Sequence, residues 1–555
     1  MALFVQYMLR NSFLAILALS SLQTFAQKKD EAAPTVEIIN TYKLTLLEAK
    51  KIESVPVLDK PMVKAPIFSY QIKAKQVKTE KIVKPIPVAD LIIKEDNVFP
   101  SSFIKLGYGN LKTPLAELYF NNKQDSRISY GVHYRFLQSN SSLNNSFADY
   151  TDHAIKGYLS TYSEIGEFGL DVNYKQNKYN YFGYDTSNKA AEKTLGRTIK
   201  NFDANAYFNS TAISSKKLKH RTQFNFYNYQ IGKALENQYA LKSKLYANIK
   251  NFNDLDNCFI SAVVGVDYNT FKNDTLQKLE RFFIQVDPRL DFDYEGLRIS
   301  AGFNTTILIE GSNKAVTYVN PVIRATYPLM ENVAYIYAGI DGRYQKQSLR
   351  NIIQNNPFTS EYNLTNYYEN AKTYAGLNAK IGSSADAVFE INYSDVTNLP
   401  LYISKGDSLN SFAIIYRQVN VLKFTTAFNY SFSEKVRIGI LGNFYNYEVT
   451  GEPEAWQLPN IDGKLNMKFN IKNKLYPHFD IIAMGVQKQR TGKTSTFTSS
   501  SLDAFYDVSA GIDYRFKKKL SVFVQANNIA SSRYQRWYKY PVYGFNIIGG
   551  LTMIF

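Results

Sequence analysis

The segment QRTGKTS, residues 489–495, is the stretch of this chain closest to a chemical motif. A phosphate-binding loop of the GxxxxGKS/T type surrounds a phosphate with backbone N–H groups, and it needs its first glycine five residues before the second. Counting back from Gly492, that position is Gln487, and the nearest earlier glycine, Gly485, lies two residues too far away. We therefore interpret 489–495 as a hairpin loop and not as a nucleotide site.

Histidine and cysteine, the usual metal ligands and nucleophiles, are scarce in this chain. Four histidines are dispersed along it, and Cys258 is its single cysteine, which excludes an intramolecular disulfide. Because no spacing among these residues matches a metal-binding motif, we expect no metal and no cofactor. His133 stands on the polar face of an alternating segment and is interpreted as a lumen or rim residue. Cys258 is interpreted as a small strand residue.

The composition is basic and rich in aromatic residues. The formal net charge is +17, and 43 Tyr and 37 Phe contrast with 2 Trp. A positive balance of this size fits either nucleic acid or anionic lipid as a partner. Tyrosine combines an apolar ring with a polar hydroxyl, which suits a boundary between oil and water. We expect lipid as the partner and no nucleic acid.

The elements that must position these residues are β-strands. From residue 101 to the end, hydrophobic and polar residues alternate, for example in 127–138, 297–309, 464–472 and 504–516. Alternation at period two predicts strands with one apolar and one polar face. We predict about 20 to 22 such strands, most of ten or more residues, a length that suits a tilted strand crossing a bilayer. Strands of soluble proteins are shorter, with a mean of about 5–6 residues.

The chemistry of the two faces decides where each face lies. Lys464, Lys468 and Lys472 stand in one row, and such a row cannot occupy a dry core. A water-filled lumen satisfies the polar face, lipid satisfies the apolar face, and closure satisfies the backbone of the edge strands. The sequence therefore predicts an all-β fold, a transmembrane antiparallel β-barrel.

The N-terminus has the pattern of an export signal. A basic residue precedes the apolar run 13–22, and the small residues Thr24 and Ala26 stand at positions −3 and −1 of a cut before Gln27. We interpret 1–26 as a secretory signal peptide. The run is too short to span a membrane, and no later stretch approaches the ~18 apolar residues of a transmembrane helix.

Residues 27–100 differ in texture from the rest of the chain. They contain closely spaced prolines and, between positions 60 and 84, seven lysines against one acid, Glu80. Proline at this density opposes both helix and sheet ladders and favours an extended chain. We predict an extended periplasmic segment here, with a short helix at most at 45–52, followed by the barrel at 101–555.

The chain ends on the alternating strand GFNIIGGLTMIF, whose last residue is Phe555. In a closed barrel the final strand pairs with the first, so we expect this segment to pair with 103–110. The terminal aromatic residue and the alternating hydrophobic residues before it are similar to the C-terminal signal of bacterial outer-membrane barrels. That resemblance implies the barrel-assembly machinery as a partner.

The tail 520–555 resembles the last two strands of TonB-dependent receptors. Asn527 and Asn528 match the Asn-rich element that ends the penultimate strand of that family, and a Tyr-rich outer loop and an aromatic-ended strand follow. The segments 103–123 and 430–490 resemble segments of Bacteroidetes-type members of that family that have little plug domain. The resemblance implies an outer-membrane barrel of a Gram-negative bacterium that acts in solute transport.

The chain departs from that family before its barrel. A full receptor carries a folded plug of about 100–150 residues in the lumen, since so wide a barrel needs filling. Only 27–100 is available here, and its composition does not predict such a domain. The segment 34–39, PTVEII, faintly resembles a TonB box, which leaves TonB or another periplasmic protein as a partner.

The sequence leaves two functions open, and neither is enzymatic because no Ser/His/Asp spacing singles out a rim triad. The first is transport across the outer membrane, or an accessory role in it; the second is a barrel that anchors the basic arm 27–100, which recruits partners. Basic residues in the lumen would favour anions, whereas basic residues at the outer rim would bind lipopolysaccharide phosphates. The segments 138–151, 183–196 and 349–370 are the expected outer loops, and none has the length of a ligand-capturing lid.

Overall fold

The computed structural model describes residues 102–555 except 123–126, 141, 144–145, 183–194, 211–217, 250–255, 275–277, 407–409, 434 and 494–495. The predictions for the signal peptide, the basic segment and the TonB box lie outside the described residues. The strands are β1 Ser102–Gly109, β2 Thr113–Asn121, β3 Ile128–Ser139, β4 Ser142–Leu143, β5 Ser146–Phe147, β6 Tyr150–Ser163, β7 Gly166–Asn180, β8 Gly196–Asn209, β9 Leu218–Ile231, β10 Ala234–Asn248, β11 Asp256–Lys272, β12 Lys278–Tyr294, β13 Leu297–Glu310, β14 Val316–Met330, β15 Ala334–Gln345, β16 Tyr367–Ile381, β17 Ala385–Ser404, β18 Phe412–Phe432, β19 Val436–Val449, β20 Ile461–Phe469, β21 Leu475–Met484, β22 Gln487–Lys493, β23 Thr496–Leu502, β24 Phe505–Lys517, β25 Leu520–Asn527, β26 Gln535–Trp537, β27 Tyr540–Pro541 and β28 Asn546–Ile554.

Twenty-two of these strands form one closed antiparallel barrel in chain order. The short pairs β4–β5, β22–β23 and β26–β27 lie outside this ring, as hairpins within connecting loops. Strand β28 pairs with both β25 and β1, which closes the ring. Both the all-β barrel fold with about 22 strands and the closure of the last strand on the first are thereby confirmed.

The apolar rows of the strands face outward. The final strand is an example, because Leu551, Met553 and Phe555 are 53%, 49% and 46% exposed and share one face. The same face of β10 exposes Tyr239 and Leu241. The inward rows are polar, so the barrel has the reverse of the distribution found in a soluble β-protein.

The two ends of the barrel differ. Ser102 and Phe555 lie at one end, here called the turn end, together with short connections such as 164–165, 295–296 and 518–519. The opposite end is here called the loop end. It carries the long connections 346–366, 450–460, 485–504 and 528–545.

One helix interrupts the β-structure of the described residues, α1 Leu349–Asn355, within the connection 346–366. The sequence pattern predicts strands alone from residue 101 onward, so this helix is a correction to that prediction. It is seven residues long, and so short an element gives little periodic signal. None of the helices among the described residues has the length and apolar character to cross a membrane.

Candidate functional site: the mouth of the barrel

Helix α1 forms because its ends are well defined. The Ser348 side chain accepts a hydrogen bond from the backbone N–H of Asn351 at 3.0 Å, which is the arrangement of a helix N-cap. Asn356 ends the helix in an extended conformation, and Pro357 disfavours a further helical residue before it.

The apolar face of α1 is buried inside the mouth. Leu349, Ile352 and Ile353 are at most 1% exposed and lie on one side of the helix at the spacing i, i+3, i+4. They join a cluster that includes the inward-facing residues Tyr229 of β9 and Phe271 of β11. Burying three aliphatic side chains of this size contributes about 5–9 kcal/mol as an upper estimate. The connection 346–366, here called the inner loop, is therefore packed into the barrel and does not extend away from it.

Arg281 of β12 fixes the inner loop from the wall. Its side chain is fully buried and faces inward. It donates to the Leu364 carbonyl at 3.1 Å, to Asn366 Oδ1 at 2.9 Å and to the Gln347 carbonyl at 2.8 Å. One guanidinium thus holds both ends of the inner loop, and such charge-assisted bonds are stronger than neutral ones.

Glu236 of β10 balances this buried charge. Its Oε1 lies 4.0 Å from Arg281 and accepts from the Asn269 side chain at 2.9 Å. Its Oε2 accepts from the backbone N–H of Arg350 at 3.1 Å, so the carboxylate also contacts α1 directly. The buried ions are paired and hydrogen-bonded, as burial of charge requires.

A second buried arginine fixes the middle of the inner loop. Arg197 of β8 donates to the Thr359 carbonyl at 2.7 Å and to the hydroxyl oxygens of Tyr181 and Tyr362 at 2.5 and 2.6 Å. Burial raises the pKa of the Tyr362 hydroxyl, and the neighbouring Arg197 only partly offsets it. Tyr362 is therefore un-ionised and able to accept this bond at neutral pH.

The connection 528–545 packs against the inner loop and against the neighbouring strands β17 and β18. The Tyr540 ring stacks on Phe358 with centroids 3.6 Å apart. Trp537 meets Tyr402 and Phe412 edge-on at 5.3 and 5.6 Å. Aromatic packing thus joins two loops that are far apart in the sequence.

The polar face of α1 borders a cavity of about 610 Å³ at the mouth. Asn351, Gln354 and Asn355 line one side of it, and Tyr445 and Tyr447 of β19 line the other. Of the described residues, two charged ones line it, Asp462 and Arg536, one of each sign. The inner loop therefore covers the side of the lumen near β8–β12 and leaves a largely uncharged cavity beside β16–β21.

The connection 450–460 borders this cavity and is held by a buried ion network. Glu452 accepts from Arg490 at 2.7 Å, from Arg417 at 2.8 Å and from the Trp456 indole N–H at 2.9 Å. Glu452 and Arg490 are each 3% exposed. Burial alone would raise the pKa of the Glu452 carboxyl, but the bonds from Trp456 and the two arginines outweigh it and lower that pKa. The network ties this connection to the hairpin β22–β23.

The residues singled out from the sequence do not come together at this site. The ring of His133 faces the lumen, and its Nε2 lies 2.7 Å from Glu117 Oε1, as expected of a lumen residue. Cys258 is buried in β11. Segment 489–495 contains part of β22, so it belongs to a hairpin but is largely strand. Among the described residues, no group of three or more His, Cys, Asp or Glu side chains is placed to hold a metal ion.

The lysine row predicted for the lumen is correct in part. Lys464 and Lys468 lie on the inward face of β20. Lys472 does not continue their row, because β20 ends at Phe469 and Lys472 has a positive φ of 54° in the following turn. Its side chain belongs to the turn end and not to the lumen wall.

The residues that fix the inner loop in the mouth of the barrel were not predicted from the sequence. Of the three expected outer loops, 183–194 lies outside the described residues, while 140–149 and 346–366 connect strands at the loop end. The inner loop is not the simple polar loop that was expected. Ser348 followed by Leu349, Ile352 and Ile353 is the signal that could have revealed a capped amphipathic turn.

Searches against protein-family models and against curated protein sequences find no match. The fold, however, is shared with solved outer-membrane receptors. The pyoverdine outer membrane receptor FpvA of Pseudomonas aeruginosa matches with 10% identity and a TM-score of 0.63, over 82% of this chain and 78% of that chain. The siderophore receptor PirA of Acinetobacter baumannii matches with 11% identity, a TM-score of 0.62 and coverage of 82% and 80%. The ferric-catecholate import receptor Fiu of E. coli matches with 7% identity, a TM-score of 0.60 and 82% of each chain.

Proposed function

We propose that this chain is an outer-membrane transport barrel whose passage is restricted at the loop end by the inner loop. The observation that carries the proposal is the packing of 346–366 inside the mouth, held by Arg197 and Arg281. The barrel fold is that of receptors whose names describe import and siderophore binding. Its solute enters from the loop end and meets the cavity beside α1 before it reaches the lumen.

The outward apolar belt supports a membrane location. Rows of exposed Leu, Ile, Val, Phe and Tyr encircle the barrel, whereas soluble monomers rarely expose contiguous apolar patches larger than a few hundred Å². Barrels of this class place short turns in the periplasm and longer loops outside. We infer that the loop end faces outward and that the turn end, where the described chain begins, faces the periplasm.

We propose the barrel-assembly machinery, and TonB or another periplasmic protein, as partners of this chain. The closing strand β28, which ends one residue before Phe555, supports recognition by the barrel-assembly machinery. Engagement of TonB by 34–39, an extended segment 27–100 in place of a folded plug, and recruitment of periplasmic partners by that segment remain proposals about residues outside the described ones. Neighbours that are transport receptors favour a non-enzymatic role for this chain.

The test is single-channel conductance in planar bilayers. We expect the full chain to show a small conductance, and a variant with 349–364 replaced by a short Gly-Ser linker to show one several-fold larger, because the helix and its cluster are gone. A control variant with the connection 311–315 replaced in the same way should behave like the parent. Equal conductance of the parent and the 349–364 variant would remove the inner loop from the mechanism.

A further inference from the structure

The outer face of β8–β12 carries a row of lysines next to the loop end. Lys200 pairs in register with Gln230, Gln230 with Leu235, Leu235 with Lys272, and Lys272 with Lys278. These five positions therefore form one line across five neighbouring strands, which lie about 4.8 Å apart. The three lysines of the line are exposed.

Two more exposed lysines extend this line. Lys178 lies on the outer face of the adjacent strand β7, and Lys233 lies in the two-residue connection between β9 and β10. Among the described residues, the acids close by are Glu280, which pairs with Lys278 at 2.6 Å, and Asp274 in the next connection. Positive charge is thus in excess across the whole line, which is here called the lysine patch.

A polar row lies directly below the lysine patch, toward the middle of the barrel. Asn228 pairs with Asn237, and Asn237 pairs with Thr270 in register. The Asn228 side chain donates to Asn237 Oδ1 at 2.7 Å, so the two amides are held side by side. This row offers amide and hydroxyl groups to a polar ligand.

Aromatic and aliphatic rows follow below the amides. Phe226, Tyr239 and Tyr268 stand in register, with ring centroids 4.9 and 6.4 Å apart. The next outward row contains Leu241 and Val266, which are 47% and 38% exposed. Four residues separate the lysine row from the aromatic row, about 13 Å along a strand at ~3.3 Å per residue.

We propose that this face is a binding site for lipopolysaccharide, with the lysine patch on its phosphates. The amide row meets the sugar hydroxyl and amide groups, and the aromatic and aliphatic rows meet the acyl chains. The order of the rows matches the order of groups in that amphiphile from headgroup to tail. The proposal rests on the proposed membrane orientation, which places these strand ends in the outer leaflet. An anionic phospholipid would share the phosphate chemistry but not the sugar layer.

The experiment compares two five-lysine variants of the full chain, purified in mild detergent. In the first, Lys178, Lys200, Lys233, Lys272 and Lys278 are replaced by Gln. In the matched control, five exposed lysines of the turn end are replaced by Gln, namely Lys472, Lys474, Lys517, Lys518 and Lys519. Both variants lose the same charge, and heat-modifiable migration on gels verifies that each barrel is folded.

The readout is binding of purified lipopolysaccharide, with its dephosphorylated form and phosphatidylglycerol micelles as comparison probes. We expect the patch variant to bind lipopolysaccharide at least ~10-fold more weakly than the parent, because each lysine near an anionic lipid surface adds to the affinity. The turn-end control should bind like the parent, and dephosphorylation should weaken binding to the parent.

Equal binding by all three proteins would overturn the site. Phosphatidylglycerol binding as tight as that of lipopolysaccharide would overturn the choice of lipid. Channel conductance of the patch variant separates this inference from the proposed function. Loss of lipopolysaccharide binding with unchanged conductance would support the lysine patch as a lipid site that is separate from transport. A chain that fails to insert into bilayers would contradict the proposed function itself.

Discussion

At the residue scale, the mouth depends on buried charges that hold a loop against a barrel wall. Arg281 donates to both ends of the inner loop, and Glu236 contacts α1 through the backbone N–H of Arg350. Removing one member of such a pair leaves the other buried and unpaired. That cost is typically about 3–5 kcal/mol, larger than the gain from any single surface contact.

We therefore expect Arg281→Met to release the inner loop while the barrel stays closed. Trypsin should then cleave after Arg350, which α1 protects in the parent chain, and the cleaved barrel should still migrate as a folded species. Arg298→Met is the matched control, because Arg298 is 72% exposed at the turn end and pairs only with nearby acids such as Asp293. Equal protection of Arg350 in parent and Arg281→Met would contradict this role for Arg281.

The ion network around Glu452 should depend on pH. The folded-state pKa of Glu452 lies below its ordinary value of 4.5, so the ionised network stabilises the connection 450–460 above about pH 4.5. That stabilisation is lost as the pH falls through the lower, folded value. In a Trp537→Phe background only Trp456 fluoresces, since the chain has 2 Trp. Its emission should shift to the red as the pH falls below 4.5.

Glu452→Gln is the control for this titration. The substitution keeps the shape of the side chain and removes its charge, so the fluorescence of Trp456 should hardly change over the same pH range. A parent that shows no shift at any pH below 4.5, or a variant that shifts as much as the parent, would contradict the assignment.

At the element scale, the seam between β1 and β28 depends on glycine. Gly107 of β1 stands opposite Gly550 of β28, and the Phe523 ring of β25 covers both. A Cβ on Gly550 would lie 2.0 Å from the Leu106 carbonyl oxygen, which is backbone and cannot easily move. A Cβ on the neighbouring Gly549 would meet its nearest atom at 3.7 Å, an ordinary contact.

Gly550→Ala should therefore destabilise the closed barrel by about 1–3 kcal/mol, the usual cost of overpacking. Gly549→Ala should leave stability close to that of the parent. Urea unfolding, followed by loss of heat-modifiable migration, measures both variants. If the two substitutions had the same effect, crowding at the seam would not be the reason for this glycine.

The strands could be predicted from the sequence wherever one face of the strand meets lipid and the other meets water. Alternation in 127–138 or 504–516 gives the strand and its lipid-facing row, because period two holds along the whole strand. The pairing of 103–110 with the tail follows from closure alone. Lys472 was misplaced because the alternating pattern continues across the turn after Phe469.

The mouth could not be predicted in the same way. Arg197, Glu236 and Arg281 are polar residues on inward faces, and in sequence they look like any lumen residue. Their burial arises only when the inner loop folds over them, which is a contact between segments 66 or more residues apart. An alternating pattern depends only on residues that are adjacent in the sequence, and the partners of these three residues are distant in the sequence.

At the scale of the whole molecule, the proposed transport role depends on which face of the ring meets lipid. The lipopolysaccharide site and the restricted passage through the mouth both require that rows such as that of Leu241 lie in a bilayer. Leu241 and Lys242 are adjacent in β10 and face opposite sides, Leu241 outward and Lys242 toward the lumen. These two positions therefore test which face of β10 meets lipid, and each serves as the control for the other.

The decisive measurement is thiol labelling of single cysteines at these two positions, in a Cys258→Ser background, in isolated outer membranes. We predict that Lys242→Cys reacts with a charged, water-soluble maleimide, while Leu241→Cys reacts only with a lipid-soluble one. Reaction of Leu241→Cys with the charged reagent in intact membranes, at the rate found for Lys242→Cys, would show that the Leu241 face does not lie in lipid.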